Sequence, residues 1–486
     1  MVTMKTTITS LGLKNKISFF SFLAGVGLFL SSSVFAADIT WVGGTTGDWA
    51  NAASWSGAAL PGAADNVTIG AGNVVTLSTD ALKINKMLVQ GKLIVASTGI
   101  LVVEQSVLSG TSLFELGGGE VENAGSISIV QKLANTNSGL RFADNVDTDD
   151  KFTNTGSLNI NMTASAITST TGNCINFIQS SIGRTARLNF GGTITFSSIA
   201  GTKFMEITSG NAILDGTAIF GSPSSYLNYR FIHNAGGVLT FASTANITYY
   251  SGFVGANGSI TISSSPTSEG IINNGILTLH GGSAVTGYGI YLNPQNSNTS
   301  KFTNAGTITV DGNFPLGSLS FGAGATTGTC LFNNQAGAVL SLSNTSNTST
   351  AGALMASAIP TVILNNAGTM TLSTAISRNM YFGDNSATFN NTGTVTVTKA
   401  ITGNDATNSC VVNNNAGGVF NFNVSDNGQV SVSSNKKIIF NNNGGTVTGR
   451  GQFASGTFFT LTGTLSPGGD TGIGKFEFLQ LAVVLT

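Results

Sequence analysis

Acidic residues gather at one place in the chain, the segment that contains Asp144, Asp147, Asp149 and Asp150. Carboxylates this close together in a loop are the ligands that a calcium ion takes in proteins. The corresponding loop of another repeat, residues 293–301, contains no acidic residue. Because the repeat forms there without such ligands, we expect a solvated loop, and calcium binding by Asp144 to Asp150 is the open alternative.

Other residues that carry chemistry are few. The two histidines, His233 and His280, do not have the spacing of metal ligands, and we expect both at surface or corner positions. The sequence has no Gly-x-Ser-x-Gly elbow, P-loop or dinucleotide fingerprint. General acid–base catalysis needs at least two groups held together in a cleft. We therefore predict no catalytic, cofactor-binding or metal-binding residues, and no cofactor.

Three cysteines, Cys174, Cys330 and Cys410, raise the question of a disulfide. Cys330 and Cys410 each lie two residues before an apolar repeat position, so both are predicted to point inward. Three repeats separate them, or roughly 14 Å at about 4.8 Å per coil, whereas a disulfide tolerates about 7 Å between Cα atoms. We expect all three cysteines to be free and buried.

The elements that position these residues are predicted by a nine-residue repeat. Phe302–Val310 has the sequence Phe-Thr-Asn-Ala-Gly-Thr-Ile-Thr-Val: an apolar residue, an Asn, a Gly, then apolar residues at every second position. Close copies occupy residues 121–129, 152–160, 271–279, 364–372 and 389–397. Alternation with a period of two predicts a strand with one buried face. The Asn and Gly predict a sharp corner with positive φ before that strand.

The spacing of the copies indicates a solenoid. Four glycines recur at intervals of 31 residues: Gly275, Gly306, Gly337 and Gly368. A longer copy, Phe332–Leu342, inserts two residues and keeps the alternation in phase, as we expect of a stacked core. The copy at Phe440 has an odd-numbered insertion and departs from that rule. We assign residues 74–486 to the array, and expect it to be truncated because the sequence stops inside a strand pattern.

Residues 37–73 differ from the repeats and contain all three tryptophans, Trp41, Trp49 and Trp55. An uncovered first coil would expose apolar side chains and unpaired backbone groups. We predict that this segment is an N-terminal cap. The functional alternative is a sugar-stacking platform made of the three indole rings.

Residues 1–36 have the pattern of a secretory signal peptide. Three lysines precede an uncharged, mostly apolar run at residues 17–30, and small residues precede a cleavage site after Ala36. The run is too short to cross a bilayer, which takes about 20 residues. We predict that the mature chain is exported without a transmembrane helix.

Composition limits the partners of the mature chain. Charged residues are 8% of the sequence, against about 25% in ordinary globular domains. The full sequence has 20 basic and 21 acidic residues, and removal of residues 1–36 takes away three lysines, so the mature chain is weakly acidic and nothing favours a nucleic acid or an anionic lipid as a partner. With 41% hydrophobic residues and 30 Phe, the chain is too apolar to be disordered.

The signal peptide, the tryptophan-rich opening, the Asn-Asn-Ala-Gly-Thr repeats and the Leu465-Ser-Pro-Gly468 turn together resemble the autotransporter-passenger-like β-strand-repeat adhesins of Gram-negative bacteria. The resemblance covers nearly the whole mature chain. It implies an all-β fold, a single right-handed parallel β-helix (β-solenoid) with an N-terminal Trp-rich cap. It also implies that the protein is secreted or lies on the outer cell surface.

From these observations we expect a structural or adhesive repeat protein that binds without catalysis through repeated loops and sheet faces. The partner would be an extracellular surface, a glycan, a protein or another copy of the chain. Residues 143–151 and 293–301 are loops of equal length and different sequence, and they are candidates for specificity.

Two other functional classes remain open. A β-helix polysaccharide lyase or hydrolase is the first alternative, because such enzymes bind sugar along one parallel sheet. An ice-binding or crystal-binding protein is the second. It is suggested by outward threonine pairs that we expect to form ladders: Thr307/Thr309, Thr369/Thr371 and Thr394/Thr396.

Overall fold

A computed structural model describes residues 36–485 apart from short internal ranges. The ranges outside the description are 81–82, 108–111, 134–137, 144–147, 163–172, 179–184, 199–202, 225–226, 228–229, 234–236, 255–257, 263–269, 295–297, 323–327, 349–351, 357–360, 376–377, 384–385, 404–409, 424–429, 435–437, 454–456, 469–475 and 479–481. The predicted signal peptide therefore lies outside the described residues except for Ala36.

The chain is a single parallel β-helix, so the predicted all-β solenoid is confirmed. Its strands form three sheets along the helix axis, and each strand pairs in parallel with the equivalent strands of neighbouring coils. A 3-10 turn at Ala52–Ser54 is the one helical element in the part of the chain that is described.

Sheet 1 runs the length of the described chain. Its strands are β1 (Asp38–Thr40), β3 (Asn66–Ile69), β5 (Lys86–Val89), β8 (Ser112–Leu116), β11 (Ser138–Ala143), β14 (Asn173–Ile178), the first part of β17 (Lys203–Phe220), β18 (Arg230–His233), β21 (Gly258–Ile262), β24 (Tyr288–Leu292), β27 (Gly317–Phe321), β30 (Leu354–Ala356), β33 (Arg378–Phe382), β36 (Ala400–Gly403), β39 (Val430–Ser434), β42 (Gly451–Phe453) and β45 (Phe476–Phe478). Several of these strands, such as β24 and β27, are buried on both faces.

Sheet 2 has one buried and one partly exposed face over most of its length. Its strands are β2 (Thr46–Asp48), β4 (Val74–Leu77), β6 (Lys92–Val95), β9 (Glu120–Asn123), β12 (Asp150–Asn154), β15 (Thr185–Phe190), the middle of β17, β19 (Gly237–Phe241), β22 (Gly270–Asn273), β25 (Thr299–Asn304), β28 (Thr329–Asn334), β31 (Thr361–Asn366), β34 (Ser386–Asn391), β37 (Cys410–Asn415), β40 (Ile438–Asn443), β43 (Thr457–Leu461) and β46 (Ala482–Leu485).

Sheet 3 consists of two sections. The first is a separate four-stranded section: β7 (Ile100–Glu104), β10 (Ser126–Val130), β13 (Ser157–Met162) and β16 (Thr193–Ser198). The second begins with the last part of β17, which also pairs in sheets 1 and 2. It continues with β20 (Asn246–Ser251), β23 (Ile276–Gly281), β26 (Thr307–Gly312), β29 (Val339–Asn344), β32 (Thr369–Thr374), β35 (Thr394–Val397), β38 (Val419–Phe422), β41 (Thr446–Gly449) and β44 (Thr464–Pro467).

The inward positions predicted from the period-two alternation are confirmed. Phe302 pairs with Phe332, which pairs with Leu364, and Leu364 pairs with Phe389. All four side chains are exposed by 2% or less, and the rings of Phe302 and Phe332 lie 5.3 Å apart. Stacking of equivalent apolar residues on successive coils therefore builds the core.

The corner glycines of the short copies have a different role from the predicted one. Gly306 does not have a positive φ. A Cβ at Gly306 would instead lie 2.1 Å from the carbonyl oxygen of Gly275, the equivalent residue of the preceding coil. The close approach of two backbones excludes a side chain there. In the longer copies the prediction is confirmed, because Gly337 and Gly417 have φ of 80° and 83°.

The odd-numbered insertion near Phe440 is absorbed in a corner rather than in a strand. Asn415 pairs with Asn443, and Val419 pairs with Thr446. The corner that follows β40 is therefore one residue shorter than the corner that follows β37. Gly444 makes the shorter turn with a φ of 77°. The expectation that only even-numbered changes are tolerated is wrong at this position, because a non-extended corner does not have the two-residue period of a strand.

The three tryptophans form a buried cluster at the N-terminal end of the β-helix, as predicted for the cap. Trp41, Trp49 and Trp55 are each exposed by 3% or less. The ring of Trp55 lies 5.1 Å from that of Trp41 and 4.7 Å from that of Trp49. A Cβ at Gly47 would lie 2.6 Å from the Trp41 ring, which requires glycine there. The sugar-stacking platform is wrong, because buried indole faces cannot stack on a ligand.

Candidate functional site

Where the structure describes the acidic segment, its carboxylates join successive coils. Asp150 is 2% exposed, and its Oδ1 accepts hydrogen bonds from the backbone N–H of Gly118 at 2.7 Å and of Gly119 at 3.2 Å. Oδ1 of Asp149 accepts from the backbone N–H of Thr185 at 2.9 Å. The two carboxylates therefore contact opposite neighbouring coils.

The expected solvated loop is wrong at Asp150, because this residue begins β12 and its side chain is buried. Calcium binding stays an open alternative for the rest of the segment, since Asp144 and Asp147 lie outside the described residues. Among the residues that are described, no three His, Cys, Asp or Glu side chains are grouped so that they could hold a metal ion.

The two histidines have different environments. His233 is fully buried and occupies an inward position of sheet 1, in register with Ile207 and Ile262. The expectation of a surface or corner position is therefore wrong for His233, because the strand register places it in the core. His280 is confirmed on the outer face of sheet 3, where its side chain is 26% exposed.

His280 belongs to a short outward row of sheet 3. Its ring stacks on Tyr250 with centroids 4.6 Å apart, and its Nδ1 contacts Oδ1 of Asp311. The three residues lie on successive coils. The row therefore combines an aromatic face with a hydrogen-bonded imidazole–carboxylate pair on a partly exposed surface.

The three cysteines are buried and none of them forms a disulfide, which confirms that prediction. Burial raises the pKa of the Cys330 and Cys410 thiols well above its ordinary value. The Sγ of Cys330 lies 3.4 Å from the carbonyl oxygen of Leu292, to which it donates. Since the thiolate is the reactive form, these two cysteines are packing residues of the core.

Sheet 2 ends in a buried ladder of asparagines that sequence reasoning missed. We call it the inner ladder; its members are Asn273, Asn304, Asn334, Asn366, Asn391, Asn414 and Asn442. Each Nδ2 donates to Oδ1 of the next member at 2.7–2.8 Å. The members are exposed by 2% or less. The recurring Asn of the repeat was the available signal, but it was assigned to a turn.

A second ladder lies one residue earlier, on the outer face. We call it the outer ladder; its members are Asn333, Asn365, Asn390, Asn413 and Asn441. Each Nδ2 donates to Oδ1 of the preceding member at 2.8–3.0 Å. The direction of donation is therefore opposite to that of the inner ladder. All five side chains are partly exposed.

An outward row of mostly apolar side chains runs beside the outer ladder. It consists of Leu331, Ile363, Thr388, Val411 and Ile439, which pair in register on the same strands. These side chains are also partly exposed. The two rows together form what we call the amide face, an uncharged surface that repeats from β28 to β40.

The same sheet has a different outer face near its N-terminal end. Lys92 contacts Glu122 at 2.7 Å, and Lys151 contacts Glu120 at 2.7 Å. The hydrogen bond to Glu122 raises the pKa of Lys92, and the hydrogen bond from Lys151 lowers the pKa of Glu120. All four side chains are at least one quarter exposed, so the pairs contribute little to stability.

Comparison with known proteins gives one match. The G8 domain model matches residues 54–198, a stretch that contains these ion pairs and ends with β16, where sheet 3 is interrupted. No curated protein and no solved structure matches the chain. The described residues include no helix that is long and apolar enough to span a membrane. The solenoid fold and the similarity to the G8 domain both fit a β-helix repeat protein.

Proposed function

We propose that the chain is a secreted or cell-surface structural or adhesive protein of a Gram-negative bacterium, similar to autotransporter passengers, and that it binds an extracellular surface without catalysis. The observation that carries the proposal is the amide face, in which the same pair of outward positions recurs on successive coils. The signal-peptide pattern of residues 1–36 supports export.

The amide face offers the same contacts many times. An asparagine side chain has two donor hydrogens and an acceptor oxygen with two lone pairs. A central member such as Asn390 donates once and accepts once within the outer ladder. One donor and one acceptor position remain for a ligand, next to the apolar row.

Weak contacts that recur on successive coils can together give strong binding. Each coil presents its contacts about 4.8 Å from those of the next, so a polymer or a second extended surface engages several coils together. Binding to linked sites is far tighter than binding to one of them. A repeated flat face therefore suits adhesion better than recognition of a single small molecule.

The test is a binding assay that also follows products. The mature chain, residues 37–486, is incubated with chitin, cellulose, mucin, fibronectin, polystyrene and immobilised mature chain. We expect retention on at least one of these surfaces, without reducing ends or unsaturated products. Retention on none of them would contradict the proposal. Saccharide cleavage by the folded chain would replace it with a carbohydrate-active enzyme.

One observation favours an enzyme as the second candidate. Glu115, Arg141, Asn176 and Glu206 form an outward row on sheet 1, and Arg141 lies 3.5 Å from Glu115. Three strand spacings separate the two carboxylates, or roughly 14 Å. Glycosidases hold their carboxyl pair about 5–9.5 Å apart, so this row supports the enzyme less well than the amide face supports adhesion.

The ice-binding alternative depends on regular threonine ladders. Thr307 pairs with Val339, and Val339 pairs with Thr369, so a branched apolar residue interrupts the first row. In the second row Ser341 separates Thr309 from Thr371. These interruptions weaken the support for a surface matched to a crystal lattice.

A further inference from the structure

A cleft of about 860 Å³ opens at the corner that follows sheet 3. Its walls come from three successive turns, at residues 281–285, 313–315 and 345–348, which follow β23, β26 and β29. At about 4.8 Å per coil the cleft extends about 10 Å along the axis. The cleft is broad and open to solvent rather than enclosed, so an extended ligand could lie along it.

A buried asparagine fixes two of the turns that line the cleft. Asn344 is 1% exposed; its Oδ1 accepts from the backbone N–H of Phe314 at 3.2 Å and of Ser346 at 2.9 Å. Its Nδ2 donates to the carbonyl oxygens of Phe314 at 2.8 Å and Gly352 at 3.0 Å. One side chain thereby fixes two of the three turns. A site formed in advance loses little freedom on binding a ligand.

The wall chemistry is neutral and both donates and accepts hydrogen bonds. None of the described residues that line the cleft carries a charge. Two hydroxyl residues, Ser283 and Thr345, and two amide residues, Asn313 and Asn347, line it, and Ser283, Thr345 and Asn347 are exposed. An apolar contact is supplied by Pro315.

We propose that this cleft binds a short segment of a neutral oligosaccharide. A sugar presents hydroxyls that donate and accept, together with apolar C–H faces, which matches hydroxyl and amide walls beside a proline. An anionic or cationic ligand would be desolvated against walls without a counter-charge, which is costly. A purely apolar ligand would leave the wall amides unpaired. The cleft lies on a different corner from the amide face, so the two sites are independent.

The test uses the mature chain and isothermal titration with four neutral tetrasaccharides, those of cellulose, chitin, starch and xylan, and with tetragalacturonate as the charged comparison. The cleft is filled in the double variant Ser283→Trp with Thr345→Trp, which changes two exposed residues. The matched control is Thr371→Trp, an exposed outward position of sheet 3 away from the cleft. Circular dichroism and thermal unfolding verify that every variant is folded.

We expect at least one neutral tetrasaccharide to bind, with affinity reduced roughly tenfold or more in the double variant and unchanged in the control. The Asn313→Ala and Asn347→Ala variants should weaken binding without filling the cleft, which covers the case in which the tryptophans prevent folding. Absence of binding by all four neutral sugars, preference for tetragalacturonate, or binding that survives both kinds of variant would each overturn the proposal.

Discussion

Asn304 donates from Nδ2 to Oδ1 of Asn334, one coil further along the axis, at 2.8 Å. The same Nδ2 donates to the carbonyl oxygen of Val339 at 3.0 Å, so a single amide ties the end of sheet 2 to the start of sheet 3 in the next coil. Because both amides are buried, these bonds replace bonds to water that the fold has removed.

Removing one member of the inner ladder should destabilise the β-helix. Asn334→Ala takes away the acceptor of Asn304 and the donor to Asn366, and each buried unpaired group costs about 1–3 kcal/mol. We expect the free energy of unfolding to fall by about 2–4 kcal/mol, measured by urea unfolding followed by circular dichroism. The control Asn333→Ala, in the partly exposed outer ladder, should cost about 0.5 kcal/mol. Equal losses would show that burial of the ladder is unimportant.

Truncation of a stacked core ring should cost more than truncation of an outward threonine. Phe302 is fully buried, and Phe302→Ala should lower the free energy of unfolding by about 3–5 kcal/mol. Thr307→Ala, on the partly exposed face of β26, should change it by less than about 0.5 kcal/mol. Similar urea midpoints for the two variants would contradict the assigned faces.

Alanine substitutions at two glycines of the repeat distinguish the cost of a close backbone contact from the cost of a positive φ. Gly306→Ala places a Cβ 2.1 Å from the carbonyl oxygen of Gly275 and should cost about 3 kcal/mol or more. Gly337→Ala meets nothing within 4 Å and incurs only its positive φ, about 1–2 kcal/mol. Thermal unfolding should therefore rank Gly306→Ala as the less stable variant, and the reverse order would refute the role given to inter-coil contact.

Lowering the pH should reveal how much the Asp215 carboxylate contributes to the stability of the fold. The hydroxyl of Thr244 donates to Asp215 and lowers its pKa. A carboxyl with a lowered folded pKa stabilises the fold above its unfolded pKa, about 3.9, and loses that contribution as pH falls through the folded pKa.

Asp215→Asn should therefore be less stable than the parent chain at pH 7, and the difference should shrink below about pH 4. Thr244→Ala, which removes the donor, should give part of the same effect. Urea midpoints measured from pH 7 to pH 2 test this, and a difference that stays constant or grows in acid would exclude it.

The sequence was sufficient for the features that depend on local alternation. Phe302 and Phe332 were correctly placed in the core because a period of two identifies the buried face of a strand. The tryptophan cap followed from a segment that breaks the repeat. Both inferences use residues close together in the chain.

Three features that depend on contact between coils were not predicted. The reason for Gly306 is the carbonyl oxygen of Gly275, one coil away, and the burial of His233 follows from its register with Ile207 and Ile262. The two asparagine ladders likewise exist only when Asn residues of successive coils are aligned. The repeat spacing aligns the coils, but it does not show that the aligned Asn side chains bond to each other rather than form a turn.

The central claim is that the chain adheres through many coils of the amide face at once. A series of variants with one, two and three arginines on that face tests it most directly. Arginine is introduced at Thr388, then also at Ile363, then also at Val411, and retention is measured on the surface that the mature chain binds. Controls place the same number of arginines on the outward face of sheet 3, at Thr309, Thr371 and Thr396.

Charge and bulk on adjacent coils should remove contacts one coil at a time, so we predict that retention falls stepwise in the sheet 2 series and stays near the parent value in the sheet 3 series. An equal fall in both series, or full retention with all three arginines on sheet 2, would contradict adhesion through the amide face.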